Sequence, residues 1–172
     1  MILVVGGGKP SRLPARRQIC ESAGVSERLS DRHRRWGWAS LALFALLGLL
    51  LETAHGFKWA PLVDHETRRA MWRLAHAHGA LLGLVHLAFA RELERLDAPD
   101  LACSRALVVA TLLMPSGFLL GGAWFYEGDP GLGITLVPLG AVALIFAAAY
   151  VILNLIADVL STLSNPRLMH RK

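Results

Sequence analysis

The stretch LALFALLGLLL, residues 41–51, decides the fold. It is apolar throughout, and the charge-free run around it extends back to Trp36. A helix needs about 20 predominantly apolar residues to cross a hydrocarbon core, and Glu52 follows just where such a helix meets the far headgroups. The same reading applies to ALVVATLLMPSGFLLGGAWF at 106–125 and to LGITLVPLGAVALIFAAAYVILNLIA at 132–157, neither of which holds a charge. A buried helix of a soluble bundle keeps a polar stripe on one side. These runs have none.

Working outward, the sequence predicts an all-α integral membrane four-helix bundle, up-down-up-down, with spans at about 36–57, 70–90, 105–126 and 132–158 inside a domain of 36–160. The second span is the most polar: Arg73, His76, His78 and His86 interrupt it. Arg73 lies within a turn of the helix start, where its long stem carries the guanidinium to the headgroups. Overall, 54% of the 172 residues are hydrophobic and the mean hydropathy is +0.45, above the range of ordinary soluble domains. Residues 1–35 read as a disordered basic cytoplasmic tail and 161–172 as a cytoplasmic C-terminal tail.

Charge gives orientation. Of the 18 Lys and Arg residues, all but Lys58, Arg68, Arg69 and Arg73 fall in the N-terminal tail, the 91–105 connection or the C-terminus. A bias of this size in short flanks predicts both termini on the cytoplasmic side, in a bacterial inner membrane. The net charge of +5 is therefore a topology signal and no nucleic-acid footprint. Cys20 and Cys103 fall on that same side, where thiols stay reduced, and no disulfide is expected.

The connections agree. KWAPLVDHETRR (58–69) is an outer loop with Trp59 at the interface, Pro61 as a breaker, and Asp64 or Thr67 as a helix cap. RELERLDAPDLACS (91–104) is a short polar connection, and YEGDPGLG (126–133) has the chemistry of a tight outer turn.

Two polar sets stand out. At the outer end, Glu52 and His55 share a helix face, His76 and His78 lie in the outer half of the second span, and Glu127 and Asp129 sit in the outer turn. Ionisable groups at membrane depth are costly, and imidazole is a common ligand for haem and metal ions. Three readings stay open: helix register, with Glu52 paired to Arg73 or a histidine; haem binding through His55 and His76, or a metal ion held by Glu52, His55 and one of His76 or His78; and proton or small-solute passage. His76 and His78 are about 200° apart around the helix, so they face different ways. At the cytoplasmic end, His86 on the second span and Asn154 and Asp158 on the fourth form a smaller set, with a His86–Asp158 hydrogen bond expected. His33, His65 and His170 read as solvated. Gly79 and Gly83, with Gly117 and Gly121 as a matching surface, read as helix-packing positions.

The stretch Ala54-His55-Gly56-Phe57-Lys58 resembles a signature of the small four-helix membrane-protein family of unknown function that includes bacterial YwdK and a vertebrate mitochondrial relative. In the same order follow Trp72, His76 and Ala77; Gly121, Gly122, Trp124, Phe125 and Tyr126; Gly128-Asp129-Pro130; and Leu136-Val137-Pro138-Leu139-Gly140. Thr53 and Ala141 stand where that family has glycine. The resemblance covers about residues 48–158 and implies a four-helix membrane fold without a known activity, cofactor or catalytic residue. Hydrolase, zinc-protease and P-loop motifs are absent from the sequence, so no enzyme is expected. The expected role is structural or that of an accessory interaction subunit, its partners being the lipid bilayer and other membrane proteins or a second copy.

Overall fold

The computed structural model describes the backbone of residues 15–94 and 101–164, with side chains from residue 24 onward except at residue 158. Within those residues the chain is all-helical. It forms α1 (Ala15–Gly56), the short α2 (Ala60–Val63), α3 (Glu66–Leu93), α4 (Leu101–Ala123), a 3₁₀ turn (Leu132–Thr135) and α5 (Leu136–Ser164). Three segments are long and apolar enough to cross a membrane: Gly24–Gly56, Leu101–Ala123 and Leu132–Ser164. α3 has the length, but its three histidines and flanking arginines dilute its hydropathy, and it is not among them.

α1 corrects the expectation of a disordered tail up to residue 35. It has 42 residues and spans about 63 Å at 1.5 Å per residue, roughly twice a hydrocarbon core. The reason lies in its spacing. Ser26, Leu29, Ser30, His33, Gly37, Ser40 and Phe44 recur every three or four residues and are all buried. Glu27, Arg28, Asp31, Arg34 and Arg35 occupy the opposite, exposed face. The charges that look like a tail are thus one side of an amphipathic helix.

The C-terminal end of α1 closes in a Schellman turn. The Trp59 N–H donates to the Ala54 carbonyl at 2.9 Å and the Lys58 N–H to that of His55 at 3.0 Å. Lys58 takes the left-handed conformation (φ 51) that glycine usually supplies there. His65, not Asp64 or Thr67, stands at the N-cap of α3 and makes no side-chain cap; Thr67 Oγ1 donates instead to the Gly128 carbonyl. The 126–129 turn reverses the chain with positive φ at both Glu127 (49°) and Gly128 (96°), the pattern of a type I′ turn.

Each long helix packs antiparallel to the one before it. Gly37 and Gly83 meet between α1 and α3, as do Phe44 and Gly79, and Gly48 and His76. α3 meets α4 through Gly122 against Met71 and Trp72, and α4 meets α5 through Gly140 against Met114. Packing follows chain order, α1 on α3, α3 on α4, α4 on α5; among the described residues α1 and α5 share no extensive contact. Leucines 43, 46, 49 and 50 of α1, and Leu139, Val142, Ile145 and Ile152 of α5, are exposed. Apolar surface this continuous is foreign to a water-soluble monomer.

The two glycine pairs do pack helices, though not against each other. A Cβ at Gly79 would fall 2.1 Å from the Phe44 ring of α1, and one at Gly117 would fall 2.8 Å from Val137 of α5. Gly79→Leu is therefore expected to lower stability by about 1–3 kcal/mol or more through overpacking, read by chemical denaturation in detergent micelles. Gly56→Ala, at a position with open space around it, should leave the denaturation midpoint unchanged.

Candidate functional site

The structure divides the expected outer cluster. Glu52 and His55 from α1, Leu62 from α2, and Arg69, Arg73 and His76 from α3 line one cleft of ≈ 490 Å³. His76 is fixed in it: Nδ1 lies 2.6 Å from the Phe44 carbonyl. That carbonyl accepts only, so Nδ1 carries a proton, and whenever the ring is neutral the lone pair is on Nε2. Gly48 lets the ring lie against α1, since a Cβ there would come within 2.4 Å of it. Among the described residues no ion pair joins Glu52 to Arg73.

The other three residues lie elsewhere. The His78 ring packs on Phe118 at 4.8 Å between centroids and its Nδ1 donates to the Leu74 carbonyl at 2.9 Å. Glu127 and Asp129 are exposed in the tight turn, Asp129 pairing through its backbone with Tyr126. The 200° offset between His76 and His78 already separates those two side chains. Among the described residues no three His, Cys, Asp or Glu side chains gather as a metal site.

Beside the cleft, Arg68 of α3 ties α2 to the C-terminal end of α4. Its Nε donates to the Gly122 carbonyl at 3.2 Å and Nη1 to that of Pro61 at 2.8 Å, while the guanidinium lies 5.0 Å from the Phe125 ring centroid. Trp72 Nε1 donates to the Leu119 carbonyl at 3.1 Å.

A second site lies at the basic end. His33 of α1 and His86 of α3 are both fully buried, with their Nδ1 atoms 2.6 Å apart and their rings stacked at 4.8 Å. His33 Nε2 lies 2.6 Å from Ser104 Oγ, and His86 Nε2 lies 2.9 Å from Thr111 Oγ1. Thr111 donates to the Leu107 carbonyl at 2.9 Å, and Arg32 donates to Ser104. One proton assignment satisfies every bond. Thr111 spends its only proton on Leu107, so it accepts from His86 Nε2–H. His86 Nδ1 then accepts from His33 Nδ1–H, and His33 Nε2 accepts from Ser104, which accepts from Arg32. The chain runs one way, from Arg32 to Leu107, with both imidazoles neutral. Ser26 and Ser30 extend the seam, donating to the Leu93 carbonyl and, at 3.0 Å, to Glu94.

His33 therefore corrects its reading as a solvated tail residue. Its arginine neighbours Arg34 and Arg35 face outward, while the three-and-four spacing through Ser26, Ser30, Gly37 and Ser40 was the signal that places it inside. His86 is buried as a polar anchor, but its partners are His33 and Thr111; Asn154 donates to the Tyr150 carbonyl one turn back on α5 at 2.8 Å. The Asp158 and Cys20 side chains are not described; Cys103 is buried. Between the two polar ends, Phe44, Leu82, Ala110, Met114 and Phe118 are buried, so the middle of the packing is mostly apolar, with buried Ser40 donating to the Gly79 carbonyl at 2.8 Å.

The chain matches no protein-family model, no curated protein and no solved structure.

Truncating either buried histidine leaves the other's ring nitrogen without its partner. His33→Ala and His86→Ala should each cost about 1–3 kcal/mol. The double variant should fall short of their sum by about 0.5–3 kcal/mol, measured as a denaturation double-mutant cycle in detergent; strict additivity would remove the contact from the fold.

Proposed function

We propose that the chain is a non-enzymatic integral membrane protein that crosses the bilayer four times, with both termini on the cytoplasmic side of a bacterial inner membrane. It acts there as a structural or accessory interaction subunit. One observation carries the reading: polar side chains are buried around His33–His86, while apolar side chains cover the outward faces of α5 and of the C-terminal half of α1. Lipid is the solvent for which that arrangement is favourable.

The fourth crossing is α3, 28 residues long, enough for the core. Its histidines are tolerated because His76 and His86 bond to α1 and α4 groups. The packing in chain order leaves α1 and α5 each with an open side face, which supports docking against other membrane proteins or a second copy.

A second reading gives the outer cleft to haem or a metal ion. It is favoured by His76, whose Nδ1–H is held by a backbone carbonyl and whose Nε2 keeps its lone pair, the tautomer that a ligating imidazole needs. A Soret band in protein made with haem supplied, lost in His76→Ala, would support it; a colourless, metal-free protein would remove it.

Orientation is tested at Asp64, which is exposed between α2 and α3. Asp64→Cys should react with a membrane-impermeant maleimide in intact cells. Reaction only after the cytoplasmic face is opened would reverse the topology.

A further inference from the structure

The outer cleft contains more polar capacity than the protein itself uses. Among the described residues the Arg69 side chain makes one hydrogen bond, Nη1 to the Val63 carbonyl at 2.9 Å, which leaves its other N–H groups able to donate. Among the described residues the Arg73 guanidinium, the Glu52 carboxylate and the His55 ring have no side-chain partner, although all three line the same space. All three are exposed at the mouth of that space, where a ligand can reach them, whereas along the His33–His86 seam both buried rings already have each nitrogen bonded.

The remaining lining is apolar and opens sideways. Ala45, Gly48 and Leu49 continue the cleft toward the middle of α1, and Leu49 is 64% exposed, so the wall reaches the lipid-facing surface. The rim stands a few residues from Trp59, the level at which indole rings sit against headgroups. Two guanidinium groups against one carboxylate leave a charge of one sign to be matched. Glu52 and the lone pair of His76 Nε2 add acceptors.

We propose that this cleft binds the phosphodiester of an anionic phospholipid with a hydroxylated head group. Arg69 and Arg73 donate to the phosphate oxygens, as guanidinium groups do. Glu52 and His76 Nε2 accept from head-group hydroxyls, and the start of an acyl chain lies along Ala45 and Leu49. A zwitterionic choline lipid offers no hydroxyl to these acceptors and carries a cation toward the arginines. The proposal rests on the membrane placement above.

The full chain in nanodiscs of equal phosphatidylglycerol and phosphatidylcholine, released for native mass spectrometry, tests it. Phosphatidylglycerol should be retained over phosphatidylcholine by about tenfold, the scale of one charge-assisted hydrogen bond. Arg73→Gln and, separately, the cleft-filling Ala45→Phe should bring the ratio near one, while Arg35→Gln at the opposite end leaves it unchanged. Equal retention by the unmodified protein, or a preference that survives both cleft variants, would overturn the proposal. So would a haem or metal adduct in the lipid's place. Displacement by inorganic phosphate alone would assign the cleft to a free anion and also overturn the lipid assignment. Alkaline washing of cell membranes separates the two levels: a protein released by the wash contradicts membrane insertion itself, whereas an inserted protein without selectivity contradicts only the cleft.

Discussion

The contact between Nδ1 of His33 and Nδ1 of His86, 2.6 Å apart, sets how α1 lies on α3. A sliding of one residue along either helix moves a ring by about 1.5 Å and turns it by about 100°, which breaks that bond and those to Ser104 and Thr111 together. Above it the two helices approach at Gly37 and Gly83, where a Cβ on either would meet backbone oxygen of the other near 3 Å. Phe44 against Gly79 and His76 against Gly48 repeat the pattern, a large side chain of one helix over a glycine of the other. Burying two imidazoles is unfavourable unless every nitrogen is bonded. Here every nitrogen is, and the hydrogen-bond network specifies a single register.

That constraint organises the rest. Because α1 is seated along its length, its charged N-terminal half is carried onto the basic ends of α3 and α4, where Arg34 bridges Asp31 and Glu94. These ion pairs are half-exposed and contribute little by themselves; the buried face beneath them holds the helix down. At the opposite end the same register brings Glu52 and His55 beside Arg69, Arg73 and His76. The mostly apolar middle keeps the two polar ends apart, so a buried polar seam at one end coexists with an open polar cleft at the other.

Much of this was legible in the sequence. Uninterrupted apolar length located the helices, Gly128 and its neighbours located the outer turn, and the one-face spacing of Glu52 and His55 located part of the cleft. Three things were hidden, each for a physical reason. The helix upstream of residue 36 was obscured because five charges mask a stripe of small and polar residues at helical spacing. The pairing of Gly79 with Phe44 rather than with Gly117 depends on which helix is the neighbour, which glycine spacing does not encode. That His86 takes His33 and Thr111 as partners depends on α3 lying between α1 and α4, which residue spacing does not encode.

The direct measure of the account is the position of the ring protons in isotope-labelled histidine, read by nitrogen NMR of the protein in lipid. The account predicts His33 protonated on Nδ1 and His86 on Nε2, with a coupling across the bond between the two Nδ1 atoms. Two rings both protonated on Nε2, without that coupling, would contradict the seating of α1 on α3.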